Sequence, residues 1–88
     1  MPDDRLGYWR TRSNNQVELK AHGLAVLDGI EGTYSTYRME TPGQPQIMEE
    51  IIVHRQGITH VLWFRSPEGV WEEGRTFRDC LLGSVRWR

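Results

Sequence analysis

Glycine punctuates this chain at nearly constant intervals: Gly29, Gly43, Gly57, Gly69 and Gly83 are separated by 14, 14, 12 and 14 residues. Each stands in a turn context, namely Asp28-Gly29, Pro42-Gly43, Gln56-Gly57, Ser66-Pro67-Glu68-Gly69 and Leu82-Gly83. Such sequences supply the backbone conformations that tight turns demand. The stretches between them are long enough for one strand each. Residue choice agrees, because 17 Val, Ile and Thr and nine aromatics stand against two alanines and one lysine, a composition that favours strands over helices. The expected fold is therefore all-β: a small antiparallel up-and-down meander or barrel of about seven strands. They are placed near 6–12, 16–27, 30–40, 46–55, 58–65, 70–77 and 84–88. The segments share no residues beyond their alternation, so the spacing is not a sequence repeat. With 88 residues, the chain accommodates one domain, 1–88.

Two local patterns qualify this map. Gly23 interrupts the alternation of Val17, Leu19 and Ala21, and Leu24 and Val26 resume it one residue out of phase, which predicts a β-bulge and a bent strand. Thr76-Phe77-Arg78-Asp79 has the spacing of a capping box, and Gly83 is placed to close one short helical turn over 77–82.

The best-defined hairpin joins 47–55 to 58–65 through Gln56-Gly57. A two-residue loop pairs Arg55 with Ile58 and thereby fixes the remaining register. On a first face Val53 lies opposite His60, Ile51 opposite Leu62 and Glu49 opposite Phe64. On the second face His54 meets Thr59, Ile52 meets Val61, Glu50 meets Trp63 and Met48 meets Arg65. If the Ser66 to Gly69 loop forms a further hairpin, Trp71 joins the first face opposite Phe64, and Glu73 falls opposite Leu62.

Both faces are apolar along their middles, whereas an exposed antiparallel sheet ordinarily has one wet side. The second face needs a cover, either the N-terminal strands or another copy of the chain, and a homodimer is the expected arrangement. The first face combines Leu62, Phe64, Trp71 and His60 with Glu49 and Glu73, a mixture of apolar walls and a few polar groups that suits a ligand pocket. Phe64, Trp71, His60 and Leu62 are thus the candidate ligand-binding residues. His60 with Glu49 or Glu73 is the one pairing suited to acid–base chemistry, which burial or neighbouring charge would have to tune towards neutral pH. A core with polar ends explains the same residues.

Other chemistries find little support. The net charge is −1, from 11 basic and 12 acidic residues, and non-specific nucleic-acid binding draws on a basic surface. His22, His54, His60 and Cys80 show no zinc-ligand spacing, and no glycine loop is built to cradle phosphate. Neither a metal nor a cofactor is expected. Cys80 among leucines reads as a small hydrophobe. Tyr8-Trp9-Arg10, Trp63-Phe64-Arg65 and Arg86-Trp87-Arg88 interleave aromatics with arginine, two residue types enriched at protein–protein contacts. Arg75, Arg78, Arg86 and Arg88 stand against Asp79 alone at the C-terminal end. No apolar run approaches the roughly 20 residues of a membrane span. The acidic start and the lack of a signal-peptide layout point to the cytoplasm.

Gly7-Tyr8-Trp9 resembles the Gly-x-Trp that opens the first strand of calycin-like barrels, the lipocalins and avidins among them. Gly32-Thr33-Tyr34 resembles the Gly-Thr-Tyr segment of avidin-type barrels, and Val61-Leu62-Trp63 their later tryptophan strand. The resemblance implies an up-and-down barrel with an apolar ligand mouth, its floor closed by Trp9 against a late basic residue, Arg86 or Arg88. Calycins have eight strands and well over 100 residues, so this chain departs from them in length. The functional expectation is a self-associating β-barrel that binds an apolar or aromatic small molecule. Two alternatives stand beside it: a protein-interaction module or inhibitor using a Trp and Arg surface, and a small cofactor-free cyclase or isomerase using His60 with a carboxylate.

Overall fold

Turn chemistry decides the topology. In the computed structural model, which describes residues 5–9 and 17–87, strands β1 (Val17–Leu27), β2 (Ile30–Met39), β3 (Gln46–Arg55) and β4 (Ile58–Pro67) form one antiparallel sheet in the order β1-β2-β3-β4. Asp28 and Gly29 have φ of 45° and 81°, and Gln56 and Gly57 have 54° and 77°. Positive φ at both central residues defines the type I′ turn, whose twist matches that of the strands it joins. The two-residue loop at Gln56-Gly57 sets the β3–β4 register as the sequence implies, with Val53 opposite His60, Ile51 opposite Leu62, Glu49 opposite Phe64 and Glu50 opposite Trp63.

The sheet is open rather than a barrel of about seven strands. Four strands are too few to close around a filled interior. Three expected strands are missing from the described residues. Residues 5–9 are helical, with Arg5, Tyr8 and Trp9 at the i, i+3 and i+4 spacing of one helical face; 10–12 lie outside the described residues. Over 70–77 the chain forms two 3-10 turns, Glu68–Val70 and Glu72–Gly74, that lead into helix α1 (Arg75–Gly83). Residues 85–87 follow without regular structure.

The reason for the lost strand at 70–77 lies at Pro67. Proline has no N–H to offer a ladder, and the next amide, Glu68 N, donates to Pro45 O at 3.0 Å instead of to a hairpin partner. Trp71 N then donates to Glu68 O at 3.3 Å and Gly74 N to Trp71 O at 3.2 Å, so the chain turns out of the sheet. Trp71 consequently does not pair with Phe64, nor Glu73 with Leu62. The expected helix at 77–82 is present and longer, but Gly74 caps it without a side-chain hydrogen bond, so Thr76 and Asp79 form no capping box.

The bulge in β1 falls at Lys20, between Leu19 opposite Tyr37 and Ala21 opposite Thr36, three residues before Gly23. Its effect is the expected change of phase. Leu24 and Val26 share a face with Val17 and Leu19. Gly32 is needed for another reason: a Cβ there would collide with Ile52 O and lie 2.7 Å from Val53 Cγ2.

Each face has its own apolar cluster. On the first, Leu27, Ile51 and Val53 are buried beneath Leu82 of α1 and Val85 and Trp87 of the tail. Trp87 is pinned there by Nε1 donating to Leu27 O at 2.7 Å and by its amide donating to Asp28 Oδ2 at 2.9 Å. On the second face, Val17, Tyr37, Met39 and Met48 are covered by Leu6 and Trp9. Residues 5–9 therefore shield one end of the second face, as a helical segment. At the other end Leu24, Val26, Val61 and Trp63 remain 71%, 62%, 38% and 56% exposed.

Candidate functional site

An apolar hollow begins where β4 leaves the sheet. Phe64, Arg65 and Ser66 form one wall, Val70 and Trp71 of the 3-10 turns a second, and Gly74, Phe77 and Arg78 the third, around about 270 Å³. The turns are held by Arg38, whose Nε donates to Glu68 Oε2 at 2.8 Å, and Arg38 also donates to Glu40. Arg78 fastens the helix side. Its guanidinium lies 3.6 Å from the centre of the Trp71 ring, and its Nη1 donates to Trp71 O, so one side chain fixes both the ring plane and the turn that carries it.

Phe64 and Trp71, two of the four expected ligand residues, line this groove. They meet through the turn instead of through cross-strand pairing. Leu62 and His60 are placed elsewhere. Leu62 packs on the first-face core, and the His60 ring lies 4.8 Å from that of Trp87.

Of the acid–base candidates, Glu49 accepts from Thr36 Oγ1 at 3.4 Å. Burial raises its pKa above the ordinary carboxylate value, the Arg78 charge and the Thr36 hydrogen bond oppose that rise, and Asp79 adds to it. Glu73 is exposed in the second 3-10 turn. Since His60 is directly opposite Val53 while Glu49 is opposite Phe64, the two are four residues apart along the hairpin, roughly 13 Å at strand rise. No proton passes directly between groups so separated. Among the described residues no three His, Cys, Asp or Glu side chains converge as a metal site would require.

A second cluster was legible only in part. Glu50, opposite Trp63 and Ser35, is fully buried on the second face. Arg5 meets it with two hydrogen bonds, Nε to Oε1 at 2.8 Å and Nη2 to Oε2 at 2.6 Å, while Trp63 Nε1 donates to Oε2 at 2.7 Å. Burial alone would raise the Glu50 pKa, but the hydrogen bonds and charge of Arg5, the Trp63 hydrogen bond and the nearby Trp9 indole dipole outweigh it and hold the pKa below the ordinary range. Arg5 in turn lies over the Tyr8 and Trp9 rings, at 4.6 and 5.8 Å. The arrangement is a clasp that docks residues 5–9 onto the sheet. A carboxylate at the middle of an apolar face opposite an indole N–H was its sequence signal; Arg5 carried none, because it reaches Glu50 from 45 residues away.

A larger hollow of about 360 Å³ occupies the open end of the second face, where Thr33, Ile52, Thr59 and Val61 lie beside His54 and Arg5. His54 Nδ1 and Thr59 Oγ1 are hydrogen-bonded across the strands at 2.9 Å. Among the described residues no helix is long and apolar enough to cross a membrane. No protein-family model matches the chain, and neither a curated protein nor a solved structure matches it significantly.

Proposed function

We propose that the chain binds a small apolar or aromatic molecule in the groove between the end of β4 and α1. One observation carries the reading: Phe64, Val70, Trp71 and Phe77 bring three rings and a branched side chain around about 270 Å³, with Phe77 and Val70 left 66% and 44% exposed. Apolar walls with a few polar groups at the rim are the usual make-up of small-ligand sites, although this one lies just under their usual size. Arg78 holds the Trp71 ring in place before any ligand arrives, which limits the ordering cost of binding.

A titration with indole, followed by amide chemical shifts, tests the proposal. Saturable shifts should concentrate at Val70, Trp71 and Gly74. Trp71→Ala should remove them, and Val70→Asp, at an exposed position where folding is spared, should weaken them at least five-fold. Shifts that are absent at millimolar indole, or that survive both substitutions, would reject the site.

A second reading, self-association, is favoured by the exposed Leu24, Val26, Val61 and Trp63 on one face. Strand spacing and rise make the open end roughly 15 Å by 15 Å, well below the roughly 800 Å² each partner contributes to a stable complex. Two copies meeting there alone should pair weakly. Sedimentation should show a mass rising with concentration from 10.3 kDa towards twice that value, with Val26→Lys suppressing the rise; a constant monomer mass rejects this reading.

A further inference from the structure

We infer that the outer edge of β4 pairs with the β4 edge of a second copy of the chain, joining two sheets into one, with Ile58 of each copy entering the β4–α1 groove of the other. β4 is the last strand of the sheet. Arg55 and Ile58 flank a two-residue turn and face one another, and such a pair exchanges both of its backbone hydrogen bonds. The direction alternates from there. His60, Leu62, Phe64 and Ser66 also turn to β3, whereas Thr59, Val61, Trp63 and Arg65 aim N–H and C=O outward. The Glu68 amide, bonded to Pro45 O at 3.0 Å, keeps the same alternation. Among the described residues no backbone group meets the outward set.

The two edges of the sheet differ. β1 is broken by the bulge at Lys20 and carries Glu18 and Lys20, features that blunt an edge against pairing. β4 keeps an unbroken register from Ile58 to Pro67, has no lysine, and meets its first proline only at Pro67. Exposed apolar groups flank it on both faces. Val61 and Trp63 stand on the second face, and Ile58, 60% exposed, lies on the first, two residues from His60.

Two-fold symmetry selects both the occupant and the register. A second copy presents the same unpaired edge, and an antiparallel pair makes the contact self-complementary. With the axis at Leu62, Thr59 faces the partner's Arg65 and Val61 faces the partner's Trp63, a β-branched and aromatic pair of the kind that stabilises sheets. All four outward residues then meet outward residues, giving about eight backbone hydrogen bonds. Moving the axis to Val61 would carry Arg65 onto the Gly57 turn; moving it to Trp63 would set Thr59 against Pro67, which has no N–H. No like charges oppose one another, since Arg65 faces a threonine and His60 faces the partner's Phe64. On the first face the partner's Ile58 comes beside Ser66, at the groove lined by Phe64, Val70, Trp71 and Phe77. The paired strip is about 30 Å long and about 10 Å thick, which places it among weak, concentration-dependent contacts. It lies at the opposite edge from Val26 and needs no small ligand, so it stands apart from both readings above.

The test follows the full chain from micromolar to millimolar concentration by sedimentation and by amide hydrogen exchange. The mass should rise from 10.3 kDa towards twice that value. Over the same range exchange should slow by about two-fold or more at Thr59, Val61, Trp63 and Arg65, and at no outward amide of β1. Val61→Pro removes an outward N–H while leaving the β3–β4 ladder intact, and should hold the mass at that of the monomer. Ile58→Lys should weaken pairing about ten-fold, as loss of a buried isoleucine side chain implies, whereas Val26→Lys should change neither readout. A constant monomer mass, a rise without protection of the four amides, or a rise that Val26→Lys abolishes and Val61→Pro does not, overturns the edge contact. Saturating indole should lower the dimer fraction, because it competes with Ile58; indole that binds without lowering it overturns the entry of Ile58 into the groove. Edge pairing without indole binding upholds this contact and removes the small-molecule reading alone.

Discussion

Replacing Arg5 by Met tests how the second face is held. Met keeps much of the apolar stem that arginine lays over a surface but removes the charge, leaving the Glu50 carboxylate buried with the Trp63 N–H as its remaining strong donor. Removing one partner of a buried ion pair costs about 3 to 5 kcal/mol. The Arg5 side chain is 30% exposed, so solvent screening places the expected loss near the lower end, about 3 kcal/mol. A chain of this length has a total stability of about 4 to 13 kcal/mol. The loss is thus a large fraction of the whole, and should lower the urea midpoint by about 2 to 3 M at a slope near 1 to 1.5 kcal/mol/M.

The pH dependence separates this cause from simple loss of packing. In the wild type the Glu50 pKa is depressed, so its stabilising contribution is complete above the ordinary carboxylate value of 4.5 and is lost as pH falls through the folded value. In Arg5→Met the burial effect prevails and the folded pKa rises. The ionised carboxylate then destabilises the variant at pH 7, and protonation on acidification relieves it. Urea melts followed by tryptophan fluorescence should therefore show the gap between the two proteins shrinking from pH 7 to pH 4. The double variant Arg5→Met, Glu50→Leu should recover most of the loss, because neither charge remains. A deficit under about 1 kcal/mol at pH 7, or one unchanged at pH 4, refutes the clasp.

Four further outcomes are expected. Gly57→Val forces a β-branched residue to φ of 77° and should cost more than about 1 kcal/mol, read as a lowered melting temperature; no change would mean that the loop adopts another form. Gly32→Ala should destabilise by about 1 to 3 kcal/mol in denaturant melts, because its methyl meets the Ile52 carbonyl and Val53. Tyr37→Phe should be neutral or stabilising by the same assay, since the buried Tyr37 hydroxyl has no hydrogen-bond partner among the described residues. Glu49→Gln should raise the urea midpoint at pH 7 and lose that advantage by pH 4: the wild-type pKa is raised mainly by burial, so its ionised form is the costly one and protonation on acidification removes the difference.

The β3–β4 hairpin was legible residue by residue. Its loop holds Gln56 and Gly57 between two apolar runs, and a two-residue turn leaves one register that keeps Ile51, Val53 and Leu62 on a common face. The same local logic located β1 and β2 around Asp28-Gly29 and the change of phase in β1. It failed wherever a long-range partner competed with local preference. The eight residues at 70–77 read as a strand, but the Glu68 amide is taken by Pro45 across the sheet and the chain coils into turns and α1. Residues 5–9 are too few for periodicity to separate strand from helix; their placement follows from an Arg5–Glu50 pair joined across 45 positions. The candidate groove shows both kinds of information at once. Phe64 and Trp71 stand out in the sequence as ring residues bordering one loop, yet their approach depends on Arg78 drawing α1 against the Trp71 ring and carbonyl. Turn residues act on their immediate neighbours and so can be read in order along the chain. Ion pairs and ring contacts between distant residues exist only once the sheet has brought their elements together.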